Sequence, residues 1–212
     1  MKKMEEVTCL RFVPYDEKLH NDFVTVIGSG SGCYSSVGRR GIGEQFLNLQ
    51  PSSALEVGCF RLYTIVHEFI HAVGFYHMQS ATERDEYVKI DFAKIRPGTE
   101  NNFNTYGFDV ITNYGVEYDY GSCMHYSSTA FSIDGSQTII PLKPLNGQTM
   151  GQRLRMSEKD IARLNAAYCV GWVESTTTEE PKPPTTTSNP IVESINDFVN
   201  NLLRNIFGSF RP

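Results

Sequence analysis

His67-Glu68-Phe69-Ile70-His71-Ala72-Val73-Gly74-Phe75-Tyr76-His77 sets three imidazoles, one carboxylate and one glycine at the offsets H-E-x-x-H-x-x-G-x-x-H. Residues four apart share one face of an α-helix, so His67 and His71 can aim ring nitrogens at a common ion. Gly74 tolerates positive φ, which lets the helix end there and the chain double back to bring His77 in from the side. Three protein ligands leave one position open for water, the pattern of a catalytic zinc rather than a structural one. Glu68, beside the first ligand, is placed to take that water's proton. H-E-x-x-H alone arises by chance in many helices; the extended array is much harder to reach by accident.

A second segment, Ser122-Cys123-Met124-His125-Tyr126, supplies the downstream methionine that accompanies such arrays in the metzincins, where Met124 would form a soft apolar floor under the metal. Further stretches extend the likeness: Ser31-Gly32-Cys33-Tyr34-Ser35-Ser36-Val37-Gly38-Arg39, Arg84-Asp85-Glu86-Tyr87-Val88, Met150-Gly151-Gln152-Arg153 and Ser157-Glu158-Lys159-Asp160-Ile161. On these motifs, over roughly residues 7–170, the chain resembles the astacin family of zinc endopeptidases. The resemblance implies that His67, His71 and His77 bind one Zn2+, that Glu68 is general base and acid, and that Tyr126 stabilises the oxyanion. A phenol stays protonated at neutral pH and can donate to charge developing on a tetrahedral carbon's oxygen. It also implies that Arg153 reaches the pocket for the residue after the scissile bond and favours acidic side chains there, since a guanidinium fork fits a carboxylate. The alternative for Arg153 is a solvated surface arginine, with Arg155 and Arg163 nearby.

There are five cysteines: Cys9, Cys33, Cys59, Cys123 and Cys169. The resemblance pairs Cys9 with Cys169, joining the start of the domain to its end, and Cys33 with Cys59, joining two strands ahead of the zinc helix. Cys123 is left over and reads as a small apolar filler of the core. Disulfides belong to an oxidising compartment, so the resemblance implies a secreted, extracellular protein. The first residues, Met1-Lys2-Lys3-Met4-Glu5-Glu6, offer no apolar run that would serve as a signal peptide.

A net charge of −5 gives no basic footprint for nucleic acid. No apolar run approaches the roughly 18 residues of a spanning helix. The resemblance to the astacin endopeptidases implies protein or peptide substrates as the partners. With 212 residues, 40% of them hydrophobic, the chain can bury one domain-sized core and carry a tail.

The expected fold class is α+β: a zincin-like, two-lobed domain with a mixed twisted sheet and an active-site helix, followed by a disordered tail carrying a short C-terminal helix. Phe23–Ile27 is β-branched and bounded by Gly28-Ser29-Gly30, a strand and turn. Gln45–Leu49 alternates as an edge strand would, and an edge beside the metal cleft could pair with an extended substrate. Residues 62–75 form the zinc helix, and Ser157 caps a helix through Ile161, Leu164 and Tyr168.

The domain reading is a peptidase domain over 1–172, a Thr/Pro-rich linker over 173–189, and an amphipathic helix over 190–208. Ile191, Ile195, Phe198, Leu202 and Ile206 line one side of that helix, a face that a partner could cover. Against the family pattern the domain is shortened at its amino end, without the usual first strand and most of the first helix. Met78 stands where relatives often carry a glutamate that anchors the matured amino terminus, Ala81 where they carry an arginine, and Tyr63 where they carry a glycine. The shortening leaves open a second reading, a non-catalytic zinc-binding or truncated remnant of such a peptidase.

Overall fold

The structure, a computed structural model, describes residues 1–170. The expected linker at 173–189 and helix at 190–208 lie outside the described residues. The element order is α1 (Lys2–Glu5), β1 (Phe23–Ile27), β2 (Cys33–Ser35), β3 (Glu44–Leu49), α2 (Leu62–Ala72), β4 (Val88–Ile90), β5 (Ile139–Pro141) and α3 (Glu158–Tyr168), with several single 3-10 turns between them.

The first sheet is mixed, in the order β1-β3-β2. β1 runs parallel to β3, from Phe23 opposite Glu44 to Ile27 opposite Asn48. β2 is antiparallel, with Cys33 opposite Leu49. Gln45–Leu49 is therefore the central strand, not the edge that its alternation suggested. Alternation of buried Gln45 and Leu47 with exposed Phe46 reports that one face of the sheet is covered, and carries no information about how many neighbours bond the backbone. The edges are β1 and β2. Asn48 fixes the loop into β2: its side chain accepts from Gly30 N–H at 2.8 Å and donates to the Gly30 and Gly32 carbonyls at 2.9 and 2.7 Å.

α2 packs against β2 and β3. Val66, Phe69 and Ile70, spaced three and four apart, are its buried apolar face, each contributing about 1.5–3 kcal/mol by leaving water. They join Leu47, Leu49, Met124 and Leu164 in one hydrophobic cluster. A second cluster holds Val88, Ile95, Phe103, Tyr118, Tyr120 and Ile139, with β4 and β5 paired antiparallel beside it. The described residues thus pack around two hydrophobic clusters.

α3 opens on a reciprocal cap. The Ser157 hydroxyl accepts from Asp160 N–H, the Asp160 carboxylate accepts from Ser157 N–H, both at 2.9 Å, and so two N–H groups of the first turn are satisfied. Disulfides join Cys9 to Cys169 and Cys33 to Cys59, with 5.5 Å between Cα atoms in each. Cys59 sits in a 3-10 turn rather than a strand, so that bridge ties β2 to the turn leading into α2.

Candidate metal centre

The zinc helix stops at Ala72, a turn short of the expected Phe75, and the way it stops builds the site. Gly74 takes φ +101°, a left-handed conformation costly for any side chain. Phe75 N–H then donates back to Ile70 C=O at 3.2 Å and Gly74 N–H to His71 C=O at 2.8 Å, the paired bonds of a Schellman closure. This turn points the Phe75 carbonyl at the His71 ring, where it accepts from Nδ1–H at 2.7 Å. On the next turn up, His67 Nδ1–H donates to the Cys123 carbonyl, also at 2.7 Å.

A carbonyl can only accept, so both rings carry their proton on Nδ1 and present bare Nε2 lone pairs to the centre. The third imidazole arrives after the turn. His77 Nε2 lies 3.2 Å from His67 Nε2 and 3.1 Å from His71 Nε2. Ligands 2.0–2.1 Å from a tetrahedral zinc stand about 3.3 Å apart, so the three nitrogens fit the ion. Burial pushes all three imidazoles toward the neutral form that binds a metal, His71 down to about 4. The fit is thus of charge state as well as of distance.

Glu68 is buried beside His67, and its Oε2 has no hydrogen-bond partner among the described residues. Desolvation pushes its carboxyl up to about 7, against the pull of the Arg153 charge. The Tyr126 ring centroid lies 4.4 Å from that of His77, and burial pushes its phenol up to about 12, so it is held protonated. Arg153 is half-buried rather than solvated, donating to the carbonyls of His125 at 3.2 Å and Gln152 at 2.8 Å. Its two neighbours part company: Arg155 is exposed, while Arg163 is buried and donates to the Glu117 carbonyl at 2.5 Å.

Met124 is buried in the first cluster, and its carbonyl accepts from Met78 N–H at 3.0 Å. Met78 and Ala81, both buried, line a cavity of about 90 Å3 that also touches His77, Ile70 and Leu164. No carboxylate or guanidinium stands at those two positions. Tyr63 packs, partly buried, on the first cluster.

Three supporting groups escaped the sequence reading. Asp160 reaches from α3 to the Ser122–Cys123 turn, Gln79 accepts from Tyr126 N–H at 3.2 Å, and His125 donates to the Tyr126 carbonyl at 2.7 Å. Asp160 and His125 stand in the Ser157–Ile161 and Ser122–Tyr126 stretches that carry the resemblance, without a role of their own there, and Gln79 left no trace.

Comparison with known proteins agrees with the geometry. The model of the astacin peptidase family matches residues 1–169. The chain is 39% identical over 172 residues to zinc metalloproteinase nas-4 of Caenorhabditis elegans, covering 81% of this chain and 52% of that protein. It is 41% identical over 161 residues to human meprin A subunit beta, covering 76% of this chain and 22% of that one. It thus spans about half of the first relative and about a fifth of the second. Among solved structures, high choriolytic enzyme 1, a hatching enzyme zinc-protease from the medaka fish Oryzias latipes, superposes with a TM-score of 0.71 at 39% identity, covering 80% of this chain and 78% of that one.

Proposed function

We propose an activity for this chain, which belongs to the astacin family of peptidases: it is a zinc-dependent endopeptidase that hydrolyses internal peptide bonds of proteins. The observation that carries the reading is the convergence of three histidine Nε2 atoms, those of His67 and His71 within 3.2 Å of His77 Nε2, next to a buried carboxylate with a free oxygen. His67, His71 and His77 hold the ion. When bound, zinc lowers the pKa of a water to about 7 and polarises a carbonyl.

The rest of the chemistry falls to the chain's own groups. Glu68, whose carboxyl titrates near neutrality and lacks a competing partner, accepts the proton of the attacking water and passes it to the leaving amine. The Tyr126 phenol, protonated across the physiological range, donates to the negative charge that grows on the carbonyl oxygen. Arg153, its charge felt by both Glu68 and Tyr126, takes an acidic side chain just after the scissile bond.

Substrate backbone lies along β2. This is an edge of the sheet, it packs against α2, and the segment after it donates from Gly38 N–H to the His71 carbonyl at 2.9 Å, which brings it to the metal helix. Two disulfides and the family together support an extracellular location.

The test is cleavage of an internally quenched peptide by the purified chain, with zinc content measured in parallel. Activity should vanish with a chelator and return with added zinc. A fully zinc-loaded protein that cleaves no peptide in a broad library would leave a metal-binding remnant as the reading.

A further inference from the structure

We infer that His125 and Gln79 are positioning residues that clamp the main chain of Tyr126 from both ends and so aim its phenol; the inference rests on the role given to Tyr126 above. Both side chains are fully buried. Gln79 Oε1 accepts from Tyr126 N–H at 3.2 Å, and His125 Nδ1–H donates to the Tyr126 carbonyl at 2.7 Å. Because that carbonyl only accepts, the His125 proton sits on Nδ1, and Nε2 is left to accept from the Tyr118 hydroxyl at 2.8 Å. Tyr118 thereby locks the tautomer that the clamp requires.

The clamp is anchored on both sides. Gln79's own carbonyl accepts from the buried Arg84 at 3.1 Å, and His125's carbonyl accepts from Arg153 at 3.2 Å. Gln79 pays for its orientation with a buried Nε2 that has no partner among the described residues. Flipping the amide would instead set two donors against each other at Tyr126 N–H, so the need for an acceptor there dictates the orientation. The Tyr126 ring is only half-buried, against Phe103 and Phe131 at 5.9 and 5.5 Å between centroids. A ring with that freedom delivers its hydroxyl to one place only if its Cα is a fixed pivot, and the two hydrogen bonds supply the pivot.

The experiment uses the zinc-loaded chain. His125→Leu removes the donor and His125→Asn retains one where Nδ1–H stood; Gln79→Met removes the acceptor and Gln79→Glu retains it. Each is made alone and together with Tyr126→Phe, and zinc content and melting temperature are recorded for all. His125→Leu and Gln79→Met should each lower kcat about tenfold with KM changed less than about twofold, the worth of one buried hydrogen bond. His125→Asn and Gln79→Glu should recover most of the loss. Affinity for a phosphinic peptide, which mimics the tetrahedral state, should fall in step with kcat, and in the Tyr126→Phe background none of the four should lower kcat further.

If His125→Leu fails to fold, Tyr118→Phe replaces it, because it removes only the hydroxyl that holds the imidazole; it should cost kcat severalfold in the parent and nothing over Tyr126→Phe. Losses that add fully to an impaired Tyr126→Phe, or that appear in KM alone, overturn the positioning role while leaving Tyr126's own. A Tyr126→Phe enzyme as active and as tightly inhibited as the parent overturns both.

Discussion

Asp160, in the first turn of the closing helix, accepts a 2.9 Å hydrogen bond from the backbone N–H of Cys123, whose carbonyl in turn holds His67 Nδ1–H at 2.7 Å. The same carboxylate takes the Ser122 hydroxyl at 2.5 Å and Ser157 N–H at 2.9 Å. A helix more than thirty residues downstream thus fixes the carbonyl that orients the first zinc ligand. Cap, methionine turn and metal site form one hydrogen-bonded chain.

Asp160→Asn keeps the volume but puts an amide N–H where an acceptor is needed. Stability should fall by ~1–3 kcal/mol, from hydrogen bonds lost to a charged, buried acceptor. Zinc affinity should weaken about 10- to 100-fold, as when the outer partner of a ligating histidine is removed. Thermal melts and competition with a chromogenic chelator measure the two; unchanged zinc affinity would mean that the Cys123 carbonyl is held by the rest of its turn.

What could be read from the chain beforehand and what could not divide by sequence separation. The His67–His77 array, the Gly74 closure and the Ser157 cap are local: each depends on residues within a turn or two, where helix geometry translates spacing directly into direction. The neighbours of β3 are set by which distant strands bond to it, so its alternation suggested an edge while the fold made it the centre. Gln79 looks like an ordinary polar residue in sequence, and His125, though it stands in the Ser122–Tyr126 segment, shows nothing there of what it bonds. Gln79 acquires its role from a residue 47 positions away, and His125 from a local bond whose meaning depends on where Tyr126 ends up.

Glu68→Gln preserves shape and cannot accept a proton. It should retain zinc and lose at least ~10²-fold in turnover, the usual worth of a positioned base. His71→Ala, by contrast, removes a ligand at the helix centre, so zinc content itself should drop. Metal analysis alongside the kinetics separates the two effects, and turnover that survives Glu68→Gln would remove the carboxylate from the mechanism.

Acid should unfold the metal-free protein early. His67, His71, His77 and His125 all have their pKa lowered by burial, His71 and His125 to about 4. In the unfolded chain they take up protons near 6.5, so the stability they contribute is complete above that pH and is lost as pH falls toward 4. Glu68 works in the opposite sense: raised to about 7, its contribution is complete below about 4.5 and lost as pH rises through 7. Four histidines outweigh one carboxyl, and the melting temperature of chelator-treated protein should therefore fall steeply between pH 6.5 and 4. A flat profile across that range would show that the imidazoles are solvated once the metal is gone.

Arg153→Ala should erase a preference for Asp or Glu just after the scissile bond, while Arg155→Ala, on an exposed neighbour, should leave it intact. Losing a charge-assisted pair with a carboxylate is worth roughly 1.5–3 kcal/mol, or about ten- to a hundredfold in kcat/KM for the acidic peptide against its alanine match. Peptide pairs differing at that one residue make the measurement. Equal rates for acidic and neutral peptides in the native protein would assign Arg153 to holding the His125 carbonyl and nothing more.

The Cys9–Cys169 bridge clamps residues 160 apart in sequence, and in the chain-entropy picture a loop of that length is worth roughly 5 kcal/mol. Cys123 is the remaining thiol; it is fully buried, and burial pushes its pKa well above the ordinary value, so it is inert in the folded protein. Alkylation should therefore label no cysteine in the native protein, Cys123 alone after unfolding without reductant, and all five after unfolding with it. Reductant should also lower the melting temperature of the zinc-loaded protein by many degrees, since both ends of the domain are released from one another. Five thiols labelled after unfolding without reductant, in a protein that was active beforehand, would refute both bridges and with them the oxidising compartment.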